Sequence, residues 1–478
     1  MSVVPTDRST SAPPRLGQPQ PPAGGRPGAG RRPVPRRRPP APRPWVADAA
    51  AVGVGVGLGA SMALPVANTS WAAVRAPGGW ATLLGDVTAQ GGTFLLLVMV
   101  LLAGRVPAVE RVLGHDRMIR WHRRTTTAPL LLLGAHAVLT TLGSAEGGRS
   151  GFWSAGGSLV TTMAWIFAAV VSYVMIVAIA GVSIRAVRRR FSYDTWWVIH
   201  CYTYLALAFS VPHQIFDGTD FVGHPLARVA WTLLWLGTAG VVIVFRLGLP
   251  AWRSLYHRFE VVEVRPEGRD AYSLVIKGRH VERLAVAGGQ WFAWRFLVRG
   301  MWWHAHPFSL SALPAPPYLR VTVKVSGDTT GDLGRLQPGT KVAVEGPYGA
   351  FTEAARTRAG VALIGAGVGI TPLRALLEDL PHGVDVVVVQ RASSEADMLH
   401  HDELAALVDA RGGRLVALAG PRRRHQLDDP RGLQRVVPDL GRRDLFLCGP
   451  DAFTAGVAAA ARRLGVDAGA IHFESFTL

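Results

Sequence analysis

Cysteine is almost missing from this 478-residue chain, with Cys201 and Cys448 the only two. They lie far apart in unlike surroundings, which excludes a disulfide framework and any CxxC metal site. No stretch has the spacing of an EF-hand loop, so calcium control is not expected. The N-terminus lacks the short charged and apolar regions of a signal peptide, because its Arg/Pro run is too long. Acidic residues are scarce beside basic ones, 33 Asp and Glu against 51 Lys and Arg, for a net charge of +18. Much of that excess lies in residues 1–44, rich in Pro, Gly and Arg ("RRPVPRRRPPAPRP"). Such a segment cannot bury enough apolar surface to fold, so a disordered cytoplasmic tail is expected. A basic arm can bind nucleic acid, but Arg ahead of a membrane helix is better explained by the positive-inside rule, and no nucleic-acid partner is expected.

What is abundant is apolar surface, 49% of residues, and it is crowded between residues 45 and 250. Six spans are predicted there, at about 45–67, 80–104, 120–142, 157–184, 195–216 and 225–248, each near the ~20 residues a bilayer requires. The loop after the second span holds Arg105, Arg111, Arg117, Arg120, Arg123 and Arg124. The loop after the fourth holds Arg185, Arg188, Arg189 and Arg190. The opposite loops carry little beyond Arg75 and Arg149. This asymmetry puts both termini on the cytoplasmic side of the plasma membrane.

Histidine inside such spans is costly and points to function. His122 and His136 fall on the third span, His200 and His213 on the fifth, and both spans run from inside to outside. The offsets of fourteen and thirteen residues separate two levels by roughly 20 Å. Fourteen residues is almost four turns, so His122 and His136 share a face. Thirteen leaves His213 rotated from His200, and Pro212 offers a correction through a kink or bulge. Two facing imidazoles at each of two depths suit two six-coordinate haems, with these four His as axial iron ligands. Arg120, Arg123 and Arg124 stand at the inner level to meet propionates. His115 and His224 have no matched partner and are expected in loops. Zinc is disfavoured because a tetrahedral site gathers its ligands at one depth.

Beyond residue 250 the pattern changes to short strands and Gly turns. Alternating apolar residues predict a small antiparallel β-barrel over about 256–355, containing "HPFSLS" and "YLRVTVKVSGDTTGDLGRL". From 358 to 478, strands alternate with helices in an α/β Rossmann-like pattern. "VALIGAGVGITPLRALLEDL" reads as strand, Gly-rich turn and helix, with Thr371 as the cap and Pro372 in the first position. Gly365, Gly367 and Gly369 would let a pyrophosphate approach the helix end. Arg391, at the end of the next strand, can meet a ribose 2′-phosphate and so favours NADPH over NADH.

These residues resemble a known group. The soluble half is similar to the ferredoxin–NADP reductase superfamily, and "HPFSLS" looks like the flavin motif of its ferric reductase and NADPH oxidase branch. With the paired His, the chain beyond the tail resembles the transmembrane ferric reductase/NADPH oxidase family, in a prokaryotic form. The resemblance implies that His306, Pro307, Phe308 and Ser309 hold the isoalloxazine and ribityl part of FAD. It implies that Lys324, Gly327 and Thr330 bind its pyrophosphate, and that Gly365, Gly367, Gly369, Thr371 and Pro372 hold NADPH phosphates. Cys448, Gly449 and Pro450 would lie by the nicotinamide. Phe476 resembles the aromatic that covers the flavin, but Thr477 and Leu478 follow it, so Phe473 is the other candidate.

The expected function is transfer of electrons from cytosolic NADPH through FAD, the inner haem and the outer haem to an acceptor outside. Oxygen, giving superoxide, is the acceptor preferred on the His spacings. Thr140 stands where many eukaryotic oxidases have a further His, which counts against oxygen, and a ferric chelate is the alternative. A third reading, a haem membrane protein with a degenerate reductase domain, is opposed by the intact glycines and HPFS.

Overall fold

The computed structural model describes residue 39 and residues 45–325, 328–421 and 426–474. Apart from residue 39, the tail expected over 1–44 lies outside the described residues. Among the described residues, five helices are long and apolar enough to cross a membrane: Trp45–Asn68, Gly79–Ala103, Arg117–Gly148, Ile166–Ser183 and Pro225–His257. The expected six are therefore not reached on length and composition. The missing one does fold as a helix, Tyr193–Pro212, but Asp194, His200 and several Trp and Tyr residues dilute its apolar character. The predicted fourth span is cut in two, Phe152–Thr162 and Ile166–Ser183. Between them the Trp165 backbone N–H donates to Asp217 Oδ2 at 3.1 Å instead of continuing the first helix. Thr161 and Thr162 also turn their hydroxyls back onto the carbonyls of Gly157 and Ser158, a bond that bends helices.

Close packing positions the His-bearing segments. Gly85 lets the Gly79–Ala103 helix lie against Thr127–Gly148, because a Cβ there would stand 2.8 Å from Thr140 Oγ1. Pro212 ends the α-helical part of Tyr193–Pro212, and His213–Asp217 continues as a π-helix. Proline lacks an N–H and its ring crowds the carbonyl four residues back, so the helix widens there. The kink or bulge anticipated at Pro212 takes the form of a π-turn. His115 does not lie in a loop: it opens the helix His115–Thr125 and is buried. His224 lies just outside the helix Pro225–Val242.

Six strands follow: β1 Phe259–Pro266, β2 Ala271–Lys277, β3 Trp291–Phe296, β4 His306–Ser309, β5 Tyr318–Lys324 and β6 Lys341–Tyr348. They form one antiparallel sheet in the order β4-β3-β6-β1-β2-β5 around a core including Phe292, Trp294 and Phe296. Its two edges touch through one isolated bridge, Leu310 to Val321. The predicted barrel is thus a curled sheet without a closing ladder. Five parallel strands complete the chain: β7 Gly360–Ala366, β8 Asp385–Ala392, β9 Arg414–Ala419, β10 Arg443–Cys448 and β11 Ile471–Glu474, in the order β11-β10-β7-β8-β9. The two sheets are joined by ions: Arg320 of β5 makes a two-point pair with Glu403 at 2.7 Å, and Arg374 Nε reaches the same carboxylate at 2.6 Å.

A second ion cluster ties the membrane helices to the antiparallel sheet. Glu345 of β6 has a side chain only 3% exposed. It meets Arg246 of the Pro225–His257 helix at 2.5 Å, Arg105 just past the end of Gly79–Ala103 at 3.1 Å, and Arg295 of β3 at 3.5 Å. Tyr348 donates its hydroxyl to the same carboxylate at 3.0 Å. Burial alone would raise the Glu345 pKa, but the three guanidiniums outweigh it and hold the carboxyl below the usual range. Removing one partner of a buried ion cluster costs about 3–5 kcal/mol, because the opposite charges stay buried. Glu345→Ala should therefore lower the thermal midpoint of the purified protein by several degrees, read by intrinsic fluorescence. An unchanged midpoint would mean that the cluster contributes nothing.

Candidate functional site

The site begins with ring nitrogens. His122 Nδ1 lies 3.1 Å from the Met99 carbonyl, His136 Nδ1 3.0 Å from that of Gly85, and His213 Nδ1 2.8 Å from that of Ser210. A carbonyl oxygen only accepts, so each Nδ1 carries the proton and each Nε2 keeps its lone pair. His200 follows by a longer route. The Ser183 hydroxyl gives its proton to the Ile179 carbonyl at 2.8 Å and accepts from Trp196 Nε1 at 3.1 Å. Towards His200 Nδ1, at 3.5 Å, it can then only accept. Trp196 also stacks on the His200 ring at 5.0 Å. In this arrangement all four Nε2 atoms are available as ligands, the second-shell pattern of metal-binding imidazole.

The inner pair has a measurable fit. The ring centres of His122 and His200 are 6.2 Å apart. An imidazole nitrogen sits about 1.1 Å from its ring centre and bonds a metal at about 2 Å, so two axial rings sharing one ion stand about 6 Å apart. The outer pair is His136, on Thr127–Gly148, and His213, which opens the π-turn His213–Asp217. Thr140 Oγ1 is 3.1 Å from His136 Nδ1, so this hydroxyl belongs to the surroundings of the His136 ring.

From the inner pair a cavity of about 1630 Å³ continues past Trp291 to Pro307 and Phe473. That exceeds the roughly 300–1,000 Å³ of a single small-ligand pocket. Arg120 and Arg123 line it beside the His pair. The HPFS residues occupy β4, which pairs with β3. His306 is buried, its ring parallel to Phe308 at 5.7 Å, and its Nε2 makes no hydrogen bond to any described residue. An orphaned buried nitrogen, one residue from the cavity-lining Pro307, suits a polar ring edge such as that of a flavin. Phe473, on β11, is 45% exposed and reaches the cavity. Phe476 and Gly327 lie outside the described residues. Lys324 ends β5 exposed, and Thr330 sits in the short helix Asp328–Leu333.

The Gly-rich turn folds as expected between β7 and the helix Ile370–Asp379, with Gly367 at φ +55°. Gly369 is required by close approach, since a Cβ there would lie 2.3 Å from the Cys448 carbonyl. This brings the turn against Cys448, Gly449 and Pro450 at the carboxyl end of β10. Thr371 does not cap the helix: Gly369 occupies that position, and the buried Thr371 hydroxyl donates to the Val368 carbonyl at 2.8 Å. Pro372 is accordingly the third helical residue rather than the first. Cys448 is wholly buried, which pushes its thiol well above the ordinary range. Arg391, at the end of β8, bends back to the Ala392 carbonyl.

Sequence reasoning missed the groups that orient the imidazoles. Three of them, Met99, Gly85 and Ser210, act through backbone carbonyls and carry no side-chain signal. It also missed His115, which meets Trp291 edge-on at 5.4 Å. Burial, then Arg105 and Arg246, push the His115 pKa down to about 3, so it is neutral at physiological pH.

Residues 88–211 match the family described as "Ferric reductase like transmembrane component". The "NADPH oxidoreductase" of Mycobacterium tuberculosis is 30% identical over 244 residues, 48% of this chain and 63% of that protein. "NADPH oxidase 1" of Mus musculus is 31% identical over 80 residues, 16% of this chain and 14% of that protein. The chain thus spans less than two thirds of either relative. The FAD/NAD-binding domain of a Vibrio cholerae nitric oxide dioxygenase overlays 46% of this chain and 98% of its own, at 25% identity and TM-score 0.40.

Burial first, and His304 second, lower the His306 pKa from the ordinary 6.5 to about 4. Between those values the unfolded chain binds a proton that the folded chain refuses, so stability is unaffected above the window and falls as pH drops through it. Thermal midpoints of the flavin-free protein should decline from pH about 6.5 to about 4, and His306→Gln should flatten that decline. An equal slope in both proteins would show that His306 stays titratable when folded.

Proposed function

From a chain that joins a ferric reductase-like transmembrane domain to a ferredoxin–NADP reductase-like oxidoreductase unit, we propose a transmembrane oxidoreductase. It would draw electrons from cytosolic NADPH, with NADH as a possible second donor, and deliver them by way of FAD and two b-type haems to a small-molecule acceptor outside. The observation that carries this reading is the commitment of all four Nδ1 atoms to protein acceptors, with the inner rings 6.2 Å apart. When bound, a flavin supplies the exchange between a two-electron hydride donor and one-electron haem acceptors.

The chain's own residues divide the work by depth. His122 and His200 would hold the inner haem, and His136 and His213 the outer one. Arg120 and Arg123 would neutralise propionates at the inner level. His306, Pro307, Phe308 and Ser309 would seat the flavin ring, with Phe473 or Phe476 over its face. Lys324, Gly327 and Thr330 would take its pyrophosphate. Gly365, Gly367, Gly369, Thr371 and Pro372 would take NADPH phosphates at the helix end, with Arg391 at the ribose and Cys448, Gly449 and Pro450 beside the nicotinamide. With Cys448 buried, its part there is to shape the pocket wall. Counting Tyr193–Pro212, six spans would place both termini in the cytoplasm and the chain in the plasma membrane.

Oxygen is the preferred acceptor, giving superoxide. A ferric chelate is the second reading, supported by the ferric reductase-like match over residues 88–211. Detergent-purified protein given NADPH, with superoxide formation and ferric reduction measured together, separates the two. His136→Ala and His213→Ala should each lose one of two haems by absorbance and abolish transfer to either acceptor. Full haem content with full turnover in both variants would overturn the ligand assignment.

A further inference from the structure

The loop between β3 and β4, residues 297–305, carries apolar side chains that the described residues leave largely exposed. Trp302 is 57% exposed, Trp303 47% and Leu297 50%. A soluble domain that shows two adjacent exposed Trp beside an exposed Leu normally has something to cover them. The loop's depth is fixed by His304, whose Nδ1 meets Asp194 Oδ1 at 2.9 Å. Asp194 lies in the first turn of Tyr193–Pro212, the end from which the chain rises towards His200. Trp303 lines the same cavity mouth as Arg185 and Arg189. On the helix Leu249–His257, which packs against β6, Trp252 is 57% and Leu255 75% exposed, while Ser254 on another face accepts from the Val344 backbone at 3.0 Å. The continuous Pro225–His257 helix is 33 residues long. At 1.5 Å per residue that is about 50 Å, longer than the ~30 Å hydrocarbon core, so its last turns reach the inner headgroup layer.

We propose that the 297–305 loop inserts into the cytoplasmic leaflet, with Trp302, Trp303 and Leu297 at headgroup depth and Trp252 and Leu255 completing the contact. The occupant is the bilayer itself. The His304–Asp194 pair holds the loop at the first turn of the helix that carries His200, and tryptophan favours the membrane interface. Exposed Arg185, Arg189, Arg190 and Arg299 flank it, so anionic lipid is the preferred composition. The flavin-binding sheet would thereby be held against the membrane by lipid as well as by Glu345. The inference rests on the transmembrane reading above, but not on haem, flavin or acceptor.

The test uses the full chain in nanodiscs of neutral lipid, with and without an anionic phospholipid. Cys201→Ser leaves only the buried Cys448, and a nitroxide label is then attached through Trp302→Cys. Collisions of the label with oxygen, which partitions into lipid, are compared with those of a water-soluble nickel complex. A second label through Arg335→Cys reports a wholly solvated turn of the same sheet. The expected result is an oxygen-to-nickel ratio severalfold higher at position 302 than at 335, rising further with anionic lipid. Equal ratios at the two positions would overturn the proposal. If the Trp302→Cys protein misfolds, quenching by headgroup-brominated lipid serves instead. Trp302→Tyr/Trp303→Tyr should then lose quenching relative to the parent, and unchanged quenching overturns the idea. Either measurement can fail while the haem-content test succeeds, so the two readings fail separately.

Discussion

A neutral imidazole has one nitrogen to give and one to keep, and the proposed electron path depends on which is which. In a low-dielectric bundle an unpaired N–H is expensive, so the proton settles on the nitrogen facing a carbonyl. Met99, Gly85 and Ser210 supply those carbonyls, and Ser183 stands in for the fourth. Two backbone features of the membrane half serve that selection. Gly85 has no side chain, so its helix comes near enough for its carbonyl to reach His136. The π-turn at His213 gives that ring its own Ser210 acceptor. A helix carried straight through Pro212 would lack the carbonyl geometry and leave the ring rotated.

Holding ligands is not enough if the electron source drifts. The cavity joining His122 and His200 to Pro307 crosses the boundary between membrane helices and antiparallel sheet. Its geometry therefore depends on how firmly that boundary is fixed. Glu345 fixes it by a charge that burial alone would penalise and that three guanidiniums retain. Such a cluster adds little net stability over an apolar contact of the same size, but it is intolerant of misalignment. That trade suits a boundary where spacing matters more than strength. Arg105 also lies over the Tyr348 ring at 4.7 Å and the Trp291 ring at 5.5 Å, so one guanidinium links the carboxylate to the cavity wall.

Much of this was legible because local chemistry forced it. Imidazoles at matched depths, a proline beside the off-phase one, and glycines between strand and helix each leave a pattern within a few residues. In the structure the inner rings stand 6.2 Å apart, a π-turn follows Pro212, and the Gly-rich turn lies between a strand and a helix. The span count was met only in part on length and composition, because polar and aromatic groups around His200 dilute the apolar character of Tyr193–Pro212. The cap at Thr371 failed because Gly369, pressed against the Cys448 carbonyl, starts the helix earlier. Least legible were partners distant in sequence. Arg105 and Glu345 are 240 residues apart, and neither stands in a pattern that names the other. Backbone carbonyls such as Met99's are invisible in principle, since every residue has one.

The distribution of charge then acquires a second meaning. Arg near the inner ends of spans orients a membrane protein during insertion, and that explanation needs only their number. It does not explain why Arg105 and Arg246 turn inward to a buried carboxylate while Arg185, Arg189 and Arg190 stay exposed. Screening separates the two sets. Exposed charges lose most of their reach within about 8–10 Å at physiological salt, whereas buried pairs are hardly screened. The inward pair can therefore hold a fixed spacing in any ionic environment. The outward set can respond to the lipid beneath it, so that alignment and membrane sensitivity are assigned to different arginines of the same face.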